Sequence, residues 1–369
     1  MIAGDKKPTN INKIKVLIVD DSGFARSVIA QELQTDPEIE IVGLAKDGID
    51  AIEKVKRLSP DVVTMDIIMP EMDGLTALQH IMEESPTPVV MLSALTTSNA
   101  EVTIRALELG AVDFFLKPSV LSPLGDAQSK ADLIAKIKLA AKTTTLKNLK
   151  PRLLRTAQPF KAPHEAQGAK NPNRVVVIGS STGGPRALMQ VIPNLPADID
   201  AAILVVQHMP SLFTRSLAER LDSISILRVR EAQDGDEILR SRVFVAPGDY
   251  HMIVTDGHLH LHRGPPVLGV RPCADITMES VASAYGNRSV GVILTGMGID
   301  GTAGAALIKA AGGMVIVEDE STCTVNGMPM SVIKAGHADY IVPIHQMAAK
   351  LTSICLEKVP TRKATARRP

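Results

Sequence analysis

Between Arg174 and Arg186 the chain reads Arg-Val-Val-Val-Ile-Gly-Ser-Ser-Thr-Gly-Gly-Pro-Arg, and its polar residues are spaced for nucleophilic chemistry. Gly179-Ser180-Ser181-Thr182-Gly183 fits the G-x-S-x-G nucleophile elbow, which pushes the hydroxyl of Ser181 into the open. The next backbone N–H, on Thr182, can then face an oxyanion. A serine hydroxyl is a poor nucleophile until a base takes its proton; histidine does this near neutral pH, and a carboxylate fixes its tautomer. His208 and Asp300 are the candidates, because each follows an apolar run that reads as a buried strand. Glycines on both sides of Met297 would let its N–H approach and complete an oxyanion hole. The order Ser…His…Asp differs from the Ser…Asp…His of α/β-hydrolases, so that fold is not implied. Blander readings stay open for each residue. The turn could hold a phosphate through its N–H groups, His208 could cap a helix, and Asp300 could cap the helix beginning near Gly301.

A second group of chemistry-bearing residues lies in the first half. Asp20 and Asp21 follow one apolar strand, Asp66 another, Ser93 a third and Lys117-Pro118 a fourth. In a doubly wound sheet of order 2-1-3-4-5, strands one and three are neighbours and sites form at their carboxyl ends. The three aspartates would then converge, and a hard cation such as Mg²⁺ would relieve their repulsion. Lys117 can balance charge added to Asp66, and the Ser93 hydroxyl can donate to it. The competing reading makes each Asp a helix cap. A third constellation, His258-Leu-His-Leu-His262, would put three imidazoles on one face of a strand, where Zn²⁺ is conceivable. No Asp, Glu or Cys is obviously supplied there, and a half-exposed hairpin shows the same alternation.

The elements that must position these residues alternate strand and helix. In the first half, strands are predicted over Lys15–Val19, Ile39–Leu44, Asp61–Met65, Pro88–Leu92 and Val112–Leu116. Helices are predicted near Ser22–Thr35, Gly48–Leu58, Leu75–Glu83, Asn99–Glu108 and Lys130–Lys142. Five such pairs imply a parallel sheet covered on both faces, a flavodoxin-like (βα)5 unit. In the second half, strands are predicted over Val175–Ile178, Ala201–Val206, Ile224–Val229 and Val290–Leu294. Short β segments flank Ala246–Tyr250 and run to His262, and helices are read near Phe213–Leu221 and Asp275–Tyr285. This is a doubly wound, mostly parallel α/β unit that brings Ser181, His208 and Asp300 to one sheet edge.

At 369 residues the chain can bury two cores, and with 45% hydrophobic residues and no Trp those cores must be aliphatic. The formal net charge of zero argues against a nucleic-acid binder. Cys273, Cys323 and Cys355 lie far apart without CxxC pairing, which suits a reducing compartment and no structural zinc. No apolar run approaches the ~20 residues of a membrane helix, so we expect a cytoplasmic protein without membrane insertion, acting as a monomer. The expected domains are 13–142 and 174–356. A basic, Pro-containing linker (143–173) separates them and a basic tail (357–369) follows. As a flexible tether the linker would reach roughly 30 Å, enough to place the first domain over a site on the second.

Two resemblances follow from these motifs. Asp20-Asp21, Asp66-Ile-Ile-Met-Pro-Glu-Met-Asp-Gly74, Ser93-Ala94 and Lys117-Pro118 resemble a two-component receiver domain. That resemblance implies phosphorylation of Asp66 by a histidine kinase, with Mg²⁺ held by Asp20, Asp21 and Asp66. It also implies sensing by Ser93 and Lys117, and an aromatic switch at Phe114. The stretches Gly179–Gly184, Gln-His-Met-Pro210, Ala-Pro-Gly-Asp-Tyr-His251, Arg271-Pro272 and Thr295–Gly301 resemble the catalytic domain of chemotaxis protein-glutamate methylesterases, the CheB family. That resemblance implies hydrolysis of glutamyl methyl esters on chemoreceptor cytoplasmic helices, with deamidation of receptor glutamines. It assigns Ser181, His208 and Asp300 as triad, Thr182 and Met297 to the oxyanion hole, and no cofactor to the catalytic domain. Two departures stand out. Ser180 replaces a small alanine and leaves a second hydroxyl beside the nucleophile, and Ile299 stands where a polar residue often precedes the Asp. A response-regulator transcription factor is disfavoured, since the second half has no short helix-turn-helix module. A phosphorylation-gated nucleotide binder remains the alternative.

Overall fold

The computed structural model describes residues 13–117, 127–143 and 171–357, which fall into two compact units. The predicted linker, the tail and Pro118 lie wholly or largely outside the described residues. Among those described, no helix is long and apolar enough to cross a membrane.

The first unit is a five-stranded parallel sheet. Its strands are β1 (Ile14–Val19), β2 (Ile39–Ala45), β3 (Val62–Asp66), β4 (Val89–Ser93) and β5 (Asp113–Leu116). They lie in the order β2-β1-β3-β4-β5, so β1 and β3 are neighbours as the pattern requires. The strands read as near-continuous aliphatic runs because helices cover both faces. On one face Val16, Ile18, Val90, Leu92 and Phe115 pack against Leu133 and Ile137 of the helix Ala127–Ala141. Helix starts follow local capping chemistry. Ser22, Asp47 and Asp73 accept from the amides of Ala25, Asp50 and Thr76 at 3.2, 2.8 and 2.7 Å. Asp20 and Asp66 do not cap in this way, although each accepts one nearby amide, of Ser22 and Ile67.

The second unit is a seven-stranded parallel sheet of β6 (Arg174–Ser180), β7 (Ala201–Gln207), β8 (Arg228–Glu231), β9 (Arg242–Val245), β12 (Ser289–Ile293), β13 (Met314–Glu318) and β14 (Tyr340–Val342). They lie in the order β14-β13-β12-β6-β7-β9-β8. A two-stranded antiparallel hairpin, β10 (His251–Thr255) and β11 (His258–His262), stands apart from that sheet. The chain builds outward from β6 through β7 on one side and β12 on the other, so the winding reverses at β6. Ligand sites of such sheets form at the carboxyl ends beside that reversal. β6 and β7 are buried along their whole length and align Ser180 with Gln207. The residues that follow, Ser181 and His208, therefore leave the sheet side by side.

One predicted element needs correction, and the structure adds others. The strand expected over Ile224–Val229 begins only at Arg228, because the preceding helix runs Ser211–Ile224. Phe213, Leu217, Leu221 and Ile224 keep helical spacing, and the Ile-Ser-Ile alternation that suggests a strand is its tail and a turn. Beyond Gly301 the pattern specified one helix, found at Thr302–Ala310. The structure adds β13, β14 and the helices Gly327–Lys334 and Ile344–Leu356. At the far edge, β8 pairs with β9 in a register that sets Arg228 against Arg242, and Arg228 and Arg230 are exposed.

Candidate active site

Ser181 follows β6 directly, and the turn after it closes when Gly184 N donates to Ser181 O at 2.8 Å. Gly183 takes φ +81° in that turn, a left-handed conformation that a Cβ would strain. The helix Gly184–Val191 then carries Pro185 in its first turn. Ser181 N donates to Thr295 O at 3.1 Å, which prolongs the β6–β12 pairing past both strands. Gly296 permits this approach: a Cβ there would lie 2.8 Å from Ser181 Cβ. Met297, one residue on, thus sits in the loop that packs on the Ser181 turn, and its side chain is 50% exposed. Thr182, within that turn, is buried.

Ser180 and Ser181 differ sharply in environment. Ser180 is fully buried, and its Oγ donates to Gln207 Oε1 at 2.7 Å. Ser181 Oγ makes no hydrogen bond among the described residues and is partly exposed. Gln207 Nε2 in turn donates to Ser181 O at 2.9 Å and to His208 O at 3.3 Å. His208 N donates to Ser180 O at 3.1 Å. One amide side chain therefore ties together the main chains that carry the hydroxyl and the imidazole.

His208 Nε2 meets Asp300 Oδ2 at 2.7 Å. Asp300 is 2% exposed and takes four further bonds: from Ala274 N (2.7 Å), Asp275 N (2.9 Å), Gly301 N (2.8 Å) and Cys273 Sγ (3.1 Å). Burial alone would raise its pKa, but the His208 bond and charge and the Ala274 and Asp275 amides outweigh it and bring the carboxyl to about 2. An ionised carboxylate only accepts, so Nε2 carries the proton and Nδ1 is left as the basic nitrogen of His208. The capping role weighed for Asp300 is present on an unexpected helix. It holds the first amides of Ala274–Tyr285, whereas Thr302–Ala310 begins at Gly301 without a side-chain cap. The neighbouring Cys273 thiol is pushed up to about 12, by burial first and then by Asp300, so it serves as a donor and not as a nucleophile.

Sequence reasoning missed the supports behind these groups. Thr295 Oγ1 donates to Thr182 O at 3.0 Å, and Thr295 N donates to Glu318 Oε2 at 2.8 Å. Burial pushes Glu318 up to about 7, against the Thr295 amide and Thr322 hydroxyl that favour its charge. A signal existed: Gln207 and Glu318 are lone polar residues closing otherwise apolar strands. The histidines of β11 do not converge on a shared ligand. His258 Nδ1 faces Asp256 O (3.0 Å) and His260 Nδ1 lies 3.6 Å from Asp234, while His262 Nδ1 accepts from Gly264 N (3.2 Å).

In the first unit, Asp20, Asp21 and Asp66 each offer a carboxylate oxygen within 4.8 Å of the others. Lys117 Nζ reaches Asp20 Oδ2 and Asp66 Oδ2, both at 2.7 Å. Burial raises Asp66 above the usual carboxylate range; Lys117 opposes this and the charge of Asp20 reinforces it. One lysine thus leaves the cluster with excess negative charge, and its all-oxygen donor set fits a hard divalent cation such as Mg²⁺. Ser93, buried at the end of β4, donates from Oγ to Ala94 O at 3.3 Å. Phe114 is buried in β5.

Comparison with known proteins gives two family matches. Residues 176–351 match the CheB methylesterase family and residues 16–155 the response regulator receiver domain. A Symbiobacterium thermophilum protein named protein-glutamate methylesterase/protein-glutamine glutaminase is 51% identical, over 92% of this chain and 96% of its own. A Pyrococcus horikoshii protein of the same name is 47% identical, over 91% and 92%. The crystal structure of the Thermotoga maritima CheB methylesterase catalytic domain is 49% identical over 50% of this chain and all of its own, with a TM-score of 0.48.

Proposed function

The chain belongs to the CheB methylesterase family and carries a response regulator receiver domain, and from that premise we propose a phosphorylation-activated hydrolase of glutamyl methyl esters on chemoreceptors. The observation that carries the chemistry is the 2.7 Å bond from His208 to a buried, ionised Asp300, on the rim where Ser181 also emerges. Ser181 Oγ attacks the ester carbonyl as His208 Nδ1 takes its proton. Asp300 keeps the imidazole in that tautomer and stabilises the imidazolium. The N–H groups of Thr182 and Met297 face the carbonyl oxygen as it becomes an oxyanion. His208 returns the proton to the leaving methoxide, methanol departs, and water activated by the same nitrogen hydrolyses the acyl-enzyme. A glutamine side chain enters the same cycle with ammonia as leaving group. This accounts for the paired activities in the names of the relatives.

Regulation is assigned to Asp66. A chemotaxis histidine kinase supplies the phosphoryl group, and Asp20, Asp21 and Asp66 would hold Mg²⁺, which neutralises the phosphoryl oxygens during transfer. Lys117, already bonded to Asp66, and Ser93 then bind the new phosphoryl oxygens. The phosphoryl group activates only through a different affinity for two arrangements of the protein, about 1.4 kcal/mol for each tenfold of stimulation. In the cell this would reset receptor methylation, which is sensory adaptation. The deciding experiment measures methanol release from methylated receptor, with and without a phosphodonor and Mg²⁺, for wild type and Ser181→Ala. Release by wild type that is lost in the variant is expected. Equal release from both would sink the serine-hydrolase reading.

A further inference from the structure

The helices Ala274–Tyr285 and Thr302–Ala310 exchange caps. Asp300 precedes the second helix yet accepts from the amides of Ala274 and Asp275 in the first, at 2.7 and 2.9 Å. Asp275 stands in the first helix yet accepts on Oδ1 from Gly304 N in the second, at 2.7 Å. Neither helix has a capping side chain of its own, for Cys273 and Gly301 hold the two N-cap positions without such a bond. Asp275 thus grips Asp300 from both sides. Its N–H binds the Asp300 carboxylate, and its own carboxylate holds the turn that begins at Gly301, next to Asp300.

We propose that Asp275 is a positioning residue of the Asp300–His208 pair, fixing where the Asp300 carboxylate stands without touching substrate. The proposal rests on the reading of Ser181, His208 and Asp300 as one catalytic unit. The ordinary explanation of an acid in a first helical turn is its interaction with the helix dipole. A carboxylate kept for that alone would stand in water. Asp275 is partly buried and pushed up to about 6, by burial first and also by the charge of Asp300, with the Gly304 amide opposing. Two carboxyls held this close are costly unless the arrangement they fix matters. Misplacing a catalytic group by about 1 Å can lower a rate on the order of 100-fold.

The test is a mutant cycle on the full-length chain, following methanol release from methylated receptor. Asp275→Ala should lower kcat by about 10- to 100-fold with KM little changed. Asp275→Asn keeps an acceptor for Gly304 N–H and should stay within about threefold of wild type. In an Asp300→Asn background, Asp275→Ala should add almost nothing, because the carboxylate it positions is gone. Asp275→Glu keeps the acid but displaces the acceptor by one methylene, and carries the same cycle if Asp275→Ala does not fold. A cycle in which the Asp275 substitution costs the same factor with and without Asp300 would overturn the proposal. Normal turnover of Ser181→Ala would refute the underlying triad instead, so the two failures are told apart.

Discussion

Ser180 Oγ and Gln207 Oε1 lie 2.7 Å apart, and that buried hydrogen bond occupies one of two adjacent hydroxyls while Ser181 Oγ is left without one among the described residues. Ser181→Ala should therefore lower methanol release by about 1,000-fold or more. Ser180→Ala should keep release within about tenfold of wild type, yet lose about 1–3 kcal/mol of stability, because Gln207 Oε1 is left buried without its donor. Paired assays and thermal melts of the two variants check this. A dead Ser180→Ala beside an active Ser181→Ala would reverse the assignment.

Asp300→Asn would turn an amide NH2 toward donors that now face a carboxylate, and kcat should fall by about 1,000- to 10,000-fold. The same residue predicts an acid limb in stability. Its carboxyl titrates near 2 in the fold against an ordinary 3.8, so its charge stabilises the fold above about pH 4. That contribution, about 2 kcal/mol, is lost as pH falls toward 2. The stability gap between wild type and Asp300→Asn should be widest above pH 4 and narrow below it in denaturant melts.

The sequence carried the strand-ending residues well because strands bounded by polar residues leave a one-dimensional trace. Asp20, Asp66, Ser181 and His208 all follow apolar runs, and the chain order of those runs suffices to guess an edge. What escaped was held by contacts distant in sequence. Nothing local tells that Asp300 caps the helix Ala274–Tyr285, or that Thr295 is braced by Glu318. β14 is three residues long and followed at once by a helix, too short for periodicity to register.

Glu318 makes an opposite pH prediction. Burial lifts its carboxyl to about 7 from an ordinary 4.5, so ionising it opposes folding as pH rises between those values. Glu318→Gln keeps an acceptor for the Thr295 amide and avoids the buried charge. The variant should gain on wild type by at most about 3 kcal/mol between pH 5 and pH 8. A gap that stays constant across that range would refute the burial argument.

Stimulation by a phosphodonor should require both Asp66 and a divalent cation. Asp66→Asn, or chelation with EDTA, should abolish the rise in methanol release. Phosphorylation that persists in EDTA would remove the metal role assigned to Asp20, Asp21 and Asp66.

Deleting Met1–Leu146 should raise basal methanol release if the unphosphorylated receiver restrains the Ser181 site. A truncated enzyme no faster than the unphosphorylated full chain would point to recruitment by the receiver in place of restraint.

The outermost strand of the large sheet bears on solubility. Among the described residues β8 pairs with one strand only, β9, and a flat aliphatic sequence at such an edge would template strand addition by another molecule. Arg230 is paired with Asp236 at 2.6 Å, but Arg228 stands against Arg242 in the register and keeps positive charge at this rim, so two such edges repel before they can zip together. Replacing the exposed Arg228 with threonine would leave the fold's interior untouched while inviting the chains to polymerise edge to edge at high concentration, visible by light scattering.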